Sequence, residues 1–270
     1  MDRVDLHRRQ AHSDVAPLVL LHGGGADARA WTPVLERFDG RWRVHAVNLP
    51  GHGGEPGFDY DAGVITATAR RVADRLLDLG LVYPHVVGHS MGGAVALELA
   101  GLTPVAGVTA LCPIGFWTRP RAWTTAAVLR NAARLSAFVG PATRSRLLAD
   151  PVMRRLALAA FSAKPSLIRP QVAVAAASAL ASSDIVTMTK FTRRYRFRGQ
   201  VPCPVQFAWA AKDRLVPPAD AVRARRLLPR ALHAFVPGSG HLVMDDDPDL
   251  TASIVGNHAL RLLCADAVDP

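Results

Sequence analysis

Pro84-His85-Val86-Val87-Gly88-His89-Ser90-Met91-Gly92-Gly93 is the stretch on which the fold turns. A β-rich run ends in the pattern G-x-S-x-G, and a helical segment, Met91–Ala100, follows at once. That order suits a tight strand-to-helix turn that presents a serine. Glycines flank Ser90 because such a turn brings neighbouring backbone too close for a Cβ. A bare match to the pattern is common; a strand before it and a helix after it make Ser90 a candidate nucleophile rather than part of a plain Gly-rich turn.

Outward from that turn, short apolar runs alternate with longer helical patterns. Candidate strands are Leu18–Leu21, Val44–Val47, His85–Val87, Val105–Leu111, Val205–Trp209 and Leu232–Val236. Candidate helices are Ala30–Phe38, Asp61–Leu79, Met91–Ala100, Ala219–Leu228 and Pro248–Cys264. The alternation predicts an α/β fold with a mostly parallel central sheet flanked by helices, whose ligand site lies at the carboxyl ends of the strands. Between about Phe116 and Gln200 the alternation fails, and helical patterns broken by Pro141, Pro151, Pro165 and Pro170 follow one another. We therefore expect a core built from residues 1–115 and 201–270, with residues 116–200 inserted as a helical cap. Only a short arm precedes the first confident strand, with Arg3–Arg9 as a candidate extra one.

The chain has 270 residues, half of them apolar, and a formal net charge of +10. One large domain with an insertion is the natural division at that length. The N-terminal residues carry Arg and Asp throughout, and no window reaches the ~18 consecutive apolar residues of a spanning helix. A soluble, cytoplasmic protein without a membrane span is the expectation. Cys112, Cys203 and Cys264 lie far apart with no CxxC spacing, so neither a disulfide framework nor a zinc site is expected.

Further motifs carry a resemblance. His22-Gly23-Gly24-Gly25 follows the first strand, Leu49-Pro50-Gly51-His52-Gly53 follows the second, Trp209-Ala210-Ala211-Lys212-Asp213 ends a later strand before Val216-Pro217, and Gly238-Ser239-Gly240-His241 follows the last. With the serine turn these look like the α/β-hydrolase fold family, over nearly everything outside the insertion; Ala210 stands where the family usually has Gly. The resemblance implies a Ser90, Asp213, His241 triad in that chain order. No Asp or Glu occurs between Glu98 and Asp150, where some relatives carry the acid. It also implies an oxyanion hole from the backbone N–H of Met91 with that of Gly24 or its neighbour Gly23, and a loop-shaping rather than catalytic His52.

The expected chemistry is hydrolysis of an ester or related acyl bond of a small, apolar substrate through an acyl-enzyme. No metal and no organic cofactor is called for. Serine at the elbow departs from the related epoxide hydrolases and haloalkane dehalogenases, whose chemistry needs a carboxylate there. Carbon–carbon hydrolysis, a lyase or isomerase using the same triad, and a non-catalytic binding protein remain open alternatives. Phe116, Trp117 and Trp123 follow the fourth strand and are candidate pocket residues, or alternatively pack the insertion onto the core.

The insertion holds fifteen Arg or Lys against Asp150 and Asp184, a net of +13, which leaves −3 for the remainder. Such a cap steers an anionic small-molecule substrate, or is the wet face of amphipathic helices: Arg130 and Arg134 share a face, leaving Val128, Leu129, Ala132, Leu135 and Val139 to pack elsewhere. Arg193-Arg194-Tyr195-Arg196-Phe197-Arg198 has the composition to contact nucleic acid or an anionic membrane, but it is short and no nucleic-acid motif accompanies it, so no nucleic-acid partner is expected.

Overall fold

The computed structural model describes residues 17–38, 40, 42–61 and 63–266. In chain order it runs β1 (Leu18–Leu21), a 3₁₀ turn (Ala28–Trp31), α1 (Thr32–Leu35), β2 (Val44–Val47), α2 (Val64–Asp78), β3 (His85–His89), α3 (Met91–Ala100) and β4 (Gly107–Leu111). Five helices follow: α4 (Arg119–Phe138), α5 (Pro141–Ala149), α6 (Pro151–Leu158), α7 (Pro170–Ser182) and α8 (Ile185–Thr192). The core resumes with β5 (Val205–Ala210), α9 (Ala221–Leu227), β6 (Leu232–Val236), α10 (Val243–Asp246) and α11 (Pro248–Asp266). Arg3–Arg9 lies outside the described residues.

All six strands pair in parallel, in the order β2-β1-β3-β4-β5-β6. Parallel strands need helical crossovers, so both faces are covered and inner strands read as unbroken apolar runs. Every residue of β1, β3, β4 and β5 is buried, whereas the edge strands β2 and β6 are partly open. One face packs on α2, α3 and α9 through residues such as Ile65, Val72 and Leu97; the other packs on α1 and α11 through Trp31, Val34 and Val255. The chain leaves β1 towards β2 and returns to β3 on the other side, so the crevice at this change of direction opens between the carboxyl ends of β1 and β3. His22–Gly25 and Ser90 flank it.

Local chemistry moved some boundaries. The first expected helix is a 3₁₀ turn, capped by the Asp27 carboxylate on Arg29 N–H, followed by a short α1 that starts around Pro33, which has no N–H to continue a ladder. Asp61 closes a turn onto Gly63 N–H, which delays α2 to Val64. In α4, Leu135 is exposed and Arg130 half-buried, contrary to the expected division of faces. The reason is that α4 meets α7 and α8 and buries Ala122, Thr125, Ala126 and Ala133, a stripe of small side chains that leaves the larger ones outside.

Two features of the core are testable. A Cβ on Gly92 would lie 2.3 Å from Leu21 O and 2.4 Å from His22 O, so α3 rests its backbone directly on the end of β1. Gly92→Ala should destabilise the protein by about 3 kcal/mol through this overpacking, read as a lowered urea midpoint; an unchanged midpoint would contradict the seating of α3. Deeper in the sheet, Thr109 Oγ1 bridges two imidazoles, 2.9 Å from His85 Nε2 and 2.8 Å from His258 Nδ1. Burial holds His85 down at about 3 and His258 at about 4.

Histidines kept neutral by the fold take up protons only in the unfolded chain as pH falls below 6.5, so the unfolded state is favoured progressively from there towards pH 4. His22 and His89 act in the same sense, while the raised carboxyls Asp220 and Asp245 act in the opposite one. The balance predicts a lower melting temperature at pH 5 than at pH 7.5. An equal or higher one would refute it.

Candidate active site

Ser90 sits between β3 and α3 with φ 54° and ψ −112°, a backbone conformation that costs a non-glycine residue about 1–3 kcal/mol. Its surroundings over-determine it: Ser90 N–H donates to Leu111 O, and Ser90 O accepts from the N–H groups of Ala94 and Ile114. Gly88 makes the turn possible, since a Cβ there would lie 2.1 Å from Gly92 O. The hydroxyl therefore emerges from a rigid turn into the crevice.

Ser90 Oγ–H donates to His241 Nε2 at 2.9 Å, and His241 Nδ1–H donates to Asp213 Oδ2 at 2.6 Å. All three side chains are buried. Asp213 follows β5, and its Oδ1 accepts the N–H groups of Leu215 and Val216 at 2.8 Å each, which leaves Oδ2 for the imidazole. Burial by itself raises the Asp213 carboxyl, but the neighbouring His241 and these hydrogen bonds outweigh it and hold the group below the usual carboxylate range. An ionised acid beside Nδ1 fixes the tautomer that leaves Nε2 free to accept from serine.

The His241 turn is held from three directions. Lys212 N–H donates to Ser239 O, His89 Nε2–H donates to His241 O at 2.8 Å, and Gly240 N–H donates to Asp246 Oδ2 at 2.7 Å. Asp246 also accepts from Ser162 Oγ at 2.5 Å and from Ala163 N–H at 2.8 Å, while Leu242 N–H donates to Phe161 O. The segment after α6 is thus locked onto the histidine turn by a buried carboxylate. Neither Asp246 nor Ser162 stood out in the sequence, because Asp245-Asp246-Asp247 reads as any acidic run before a helix. Nothing local marks the middle one as buried.

Two neutral histidines brace the glycine loop after β1. His22 Nε2 accepts Leu49 N–H at 3.0 Å, and His52 Nε2 accepts Gly25 N–H at 2.9 Å, so each loop offers an imidazole to the other's backbone. Both must be unprotonated at Nε2. Burial accordingly lowers them, His22 to about 3 with His52 adding to the effect. With Gly25 engaged, the N–H groups of Gly24 and Met91 have no protein acceptor among the described residues. His52 has the loop-shaping place expected of it.

Phe116, Trp117 and Trp123, read either as pocket residues or as packing for the insertion, make the contacts of the second reading. Phe116 is buried among Phe197, Phe207 and Trp209; Trp117 Nε1–H donates to Tyr195 O; Trp123 is exposed, with the Arg193 guanidinium 3.7 Å above its ring. Each pairs with the segment that closes the insertion, so together they zip its first and last turns. Over the crevice stand instead two residues that no motif marked. A Cβ on Gly24 would lie 2.7 Å from Ile185 Cδ1, and one on Gly25 2.3 Å from Leu180 Cδ1. Contacts of this kind depend on how α7 and α8 fold back, which no sequence period reveals.

Cys112 Sγ lies with the Asp213 and His241 ligand atoms in a group whose members are all within 4.8 Å of one another. Burial pushes the Cys112 thiol well above its ordinary value, so it is protonated, and the other two groups already share a hydrogen bond. The cluster has the makings of a hydrogen-bonded triad rather than of a ready metal cage.

Comparison with known proteins agrees with this architecture. A dihydrolipoyllysine-residue acetyltransferase component of the acetoin cleaving system of Pseudomonas putida is 29% identical over 239 residues, covering 84% of this chain but only 59% of that protein. RutD of Escherichia coli K12, named as a carbamate hydrolase, is 26% identical over 266 residues and covers 93% of this chain and 94% of its own. A thermophilic esterase from Thermogutta terrifontis superposes with a TM-score of 0.71 at 19% identity, covering 93% of this chain and 92% of that one. The model of the alpha/beta hydrolase family matches residues 18–254, which takes in the sheet, the serine turn and the histidine turn alike. The chain belongs to the alpha/beta hydrolase family.

Proposed function

We propose that the protein is a serine hydrolase that cleaves an ester or related acyl bond of a small, apolar substrate through an acyl-enzyme. The observation that carries this reading is the continuous hydrogen-bonded chain from Ser90 Oγ through His241 to Asp213. Ser90 Oγ attacks the acyl carbon as His241 Nε2 takes its proton, and the ionised Asp213 stabilises the imidazolium that forms. The N–H groups of Gly24 and Met91 receive the developing oxyanion at the mouth of β1 and the start of α3. His241 then passes its proton to the leaving group. Water, deprotonated by the same nitrogen, attacks the acyl-enzyme, and Ser90 is restored.

Substrate size and polarity follow from what stands around the serine. Ser90 is buried, and Met91, Leu180 and Ile185 face the glycine loop, so an apolar acyl group of modest length fits the surroundings better than a charged one. The names of the relatives, an esterase and a carbamate hydrolase, lend support to acyl chemistry with either an oxygen or a nitrogen leaving group. Protein without membrane span or nucleic-acid partner is the setting we expect for such a reaction; among the described residues no single helix is long and apolar enough to cross a membrane.

A chain-length series of p-nitrophenyl esters tests the assignment. Ser90→Ala should lower kcat by about 10⁴-fold or more and Asp213→Asn by a comparable factor, with circular dichroism unchanged. Undiminished turnover in folded Ser90→Ala would overturn the nucleophile. The bracing of the glycine loop gives a separate test: His52→Ala releases Gly25 N–H and should lower kcat by up to about 100-fold with little change in KM, because the loop meets the oxyanion only in the transition state. A rise in KM alone would place His52 in substrate binding instead.

A further inference from the structure

Two short helices of the insertion, α5 and α6, each bury an arginine and leave apolar side chains exposed. In α6, Val152, Met153 and Leu156 fall on one face, and that face is exposed, Leu156 at 63%. Arg154 on the opposite side is buried, its guanidinium donating to Leu148 O, Ala149 O and Ser166 O. The neighbouring α5 repeats the arrangement in part: Arg144 is buried on Ala177 O and Leu147 is exposed, while Leu148 packs inward and Arg146 faces out. Leu167, in the turn that packs on α6, is 77% exposed, and Phe138, which ends α4 just before α5, is 89% exposed. A surface adapted to water alone does the reverse, turning arginine out and leucine in. Scattered apolar residues need no explanation, but three apolar side chains exposed together on one helix face do.

We propose that the α5–α6 face of the insertion docks on an anionic phospholipid bilayer. Charge decides the occupant. Residues 116–200 carry a net of +13, and the exposed Arg134, Arg146 and Arg155 stand on the same three helices as the exposed apolar side chains. A second copy of this chain would set two such faces against each other and repel. A small anion would meet the arginines but leave Val152, Met153 and Leu156 in water. A bilayer with anionic headgroups satisfies both, since guanidinium groups meet the phosphates while the apolar side chains enter the acyl boundary. Among the described residues no single helix is long and apolar enough to cross a membrane, and the docking proposed for α5 and α6 is a peripheral one. Docking there also lies next to the site: α6 leads through Leu158 into Phe161–Lys164, the segment that Asp246 holds against the histidine turn.

Cosedimentation with vesicles tests the proposal independently of any turnover. Wild-type protein should bind vesicles of phosphatidylglycerol mixed with phosphatidylcholine, bind pure phosphatidylcholine weakly, and lose affinity as salt is raised. The double substitution Val152→Glu with Leu156→Glu should lower the partition coefficient by about tenfold or more, as both sites are exposed and the apolar insertion is removed. Leu156→Ser provides a milder variant whose smaller loss must run in the same direction if the double variant melts early by circular dichroism. No binding to anionic vesicles overturns the proposal. So does full binding by the glutamate variants, which would place the charge effect on another surface, and so does a wild-type dimer that these substitutions dissociate, which would make the occupant a second copy.

Discussion

Backbone-to-backbone contact between α3 and the end of β1 is the constraint from which the rest of the site follows. Gly92 lets the first turn of α3 lie on the carbonyls of Leu21 and His22, and Gly88 lets the serine turn fold beneath it. That packing drives Ser90 to a positive φ, and the hydrogen bonds from Ser90 to Leu111, Ala94 and Ile114 keep it there. The strain is small beside the burial of α3 and β3, so the fold holds it without difficulty. One consequence is geometric: the same contact that fixes the serine brings the start of α3 beside the glycine loop, so Ser90 and the N–H groups of Met91 and Gly24 are positioned by a single interface.

A second layer of order comes from histidine kept neutral. His22, His52 and His89 each use an imidazole as a small, rigid linker between backbone segments, and burial keeps each of them uncharged. Neutral imidazole suits this role because one nitrogen donates while the other accepts, which lysine or arginine cannot do. His241 differs from the other three in its partner, an ionised carboxylate in place of a carbonyl. Four histidines meet at this end of the sheet, and their roles separate by whether the imidazole N–H meets a carbonyl or the Asp213 carboxylate.

Legibility in the sequence tracks how local the cause is. Ser90 and its helix were readable because a tight turn imposes glycine at fixed offsets, and the α3 boundaries, Met91 and Ala100, came out as expected. Asp213 and His241 were readable through strand-end motifs, since each is presented by a turn a few residues long. Asp246 and Ser162 were not, because their pairing spans 84 residues and joins the insertion to the core. Phe116, Trp117 and Trp123 stayed between a pocket and a packing reading for a related reason: aromatic residues after a strand end look alike whether they face a pocket or a seam. Here the seam with Arg193, Tyr195 and Phe197 claimed them.

The insertion's charge is the feature that local rules handled least well, and its packing explains why it is free to act outward. Arg169 to Glu36 is the one ion pair between insertion and core among the described residues, and both partners are exposed, so it contributes little. The seam is held instead by the buried Asp246 carboxylate, by the aromatic zip and by Asp184, which accepts from Tyr60 and donates its N–H to Gly51 O. Arg144 and Arg154 serve the interior by satisfying helix-end and backbone carbonyls, a role set by hydrogen-bond geometry rather than by net charge. Folding therefore makes use of few of the insertion's fifteen cationic side chains as charges. Others, such as Arg134, Arg146 and Arg155, are exposed on the helices that also carry the uncovered apolar side chains, which is why their purpose is to be sought at the surface.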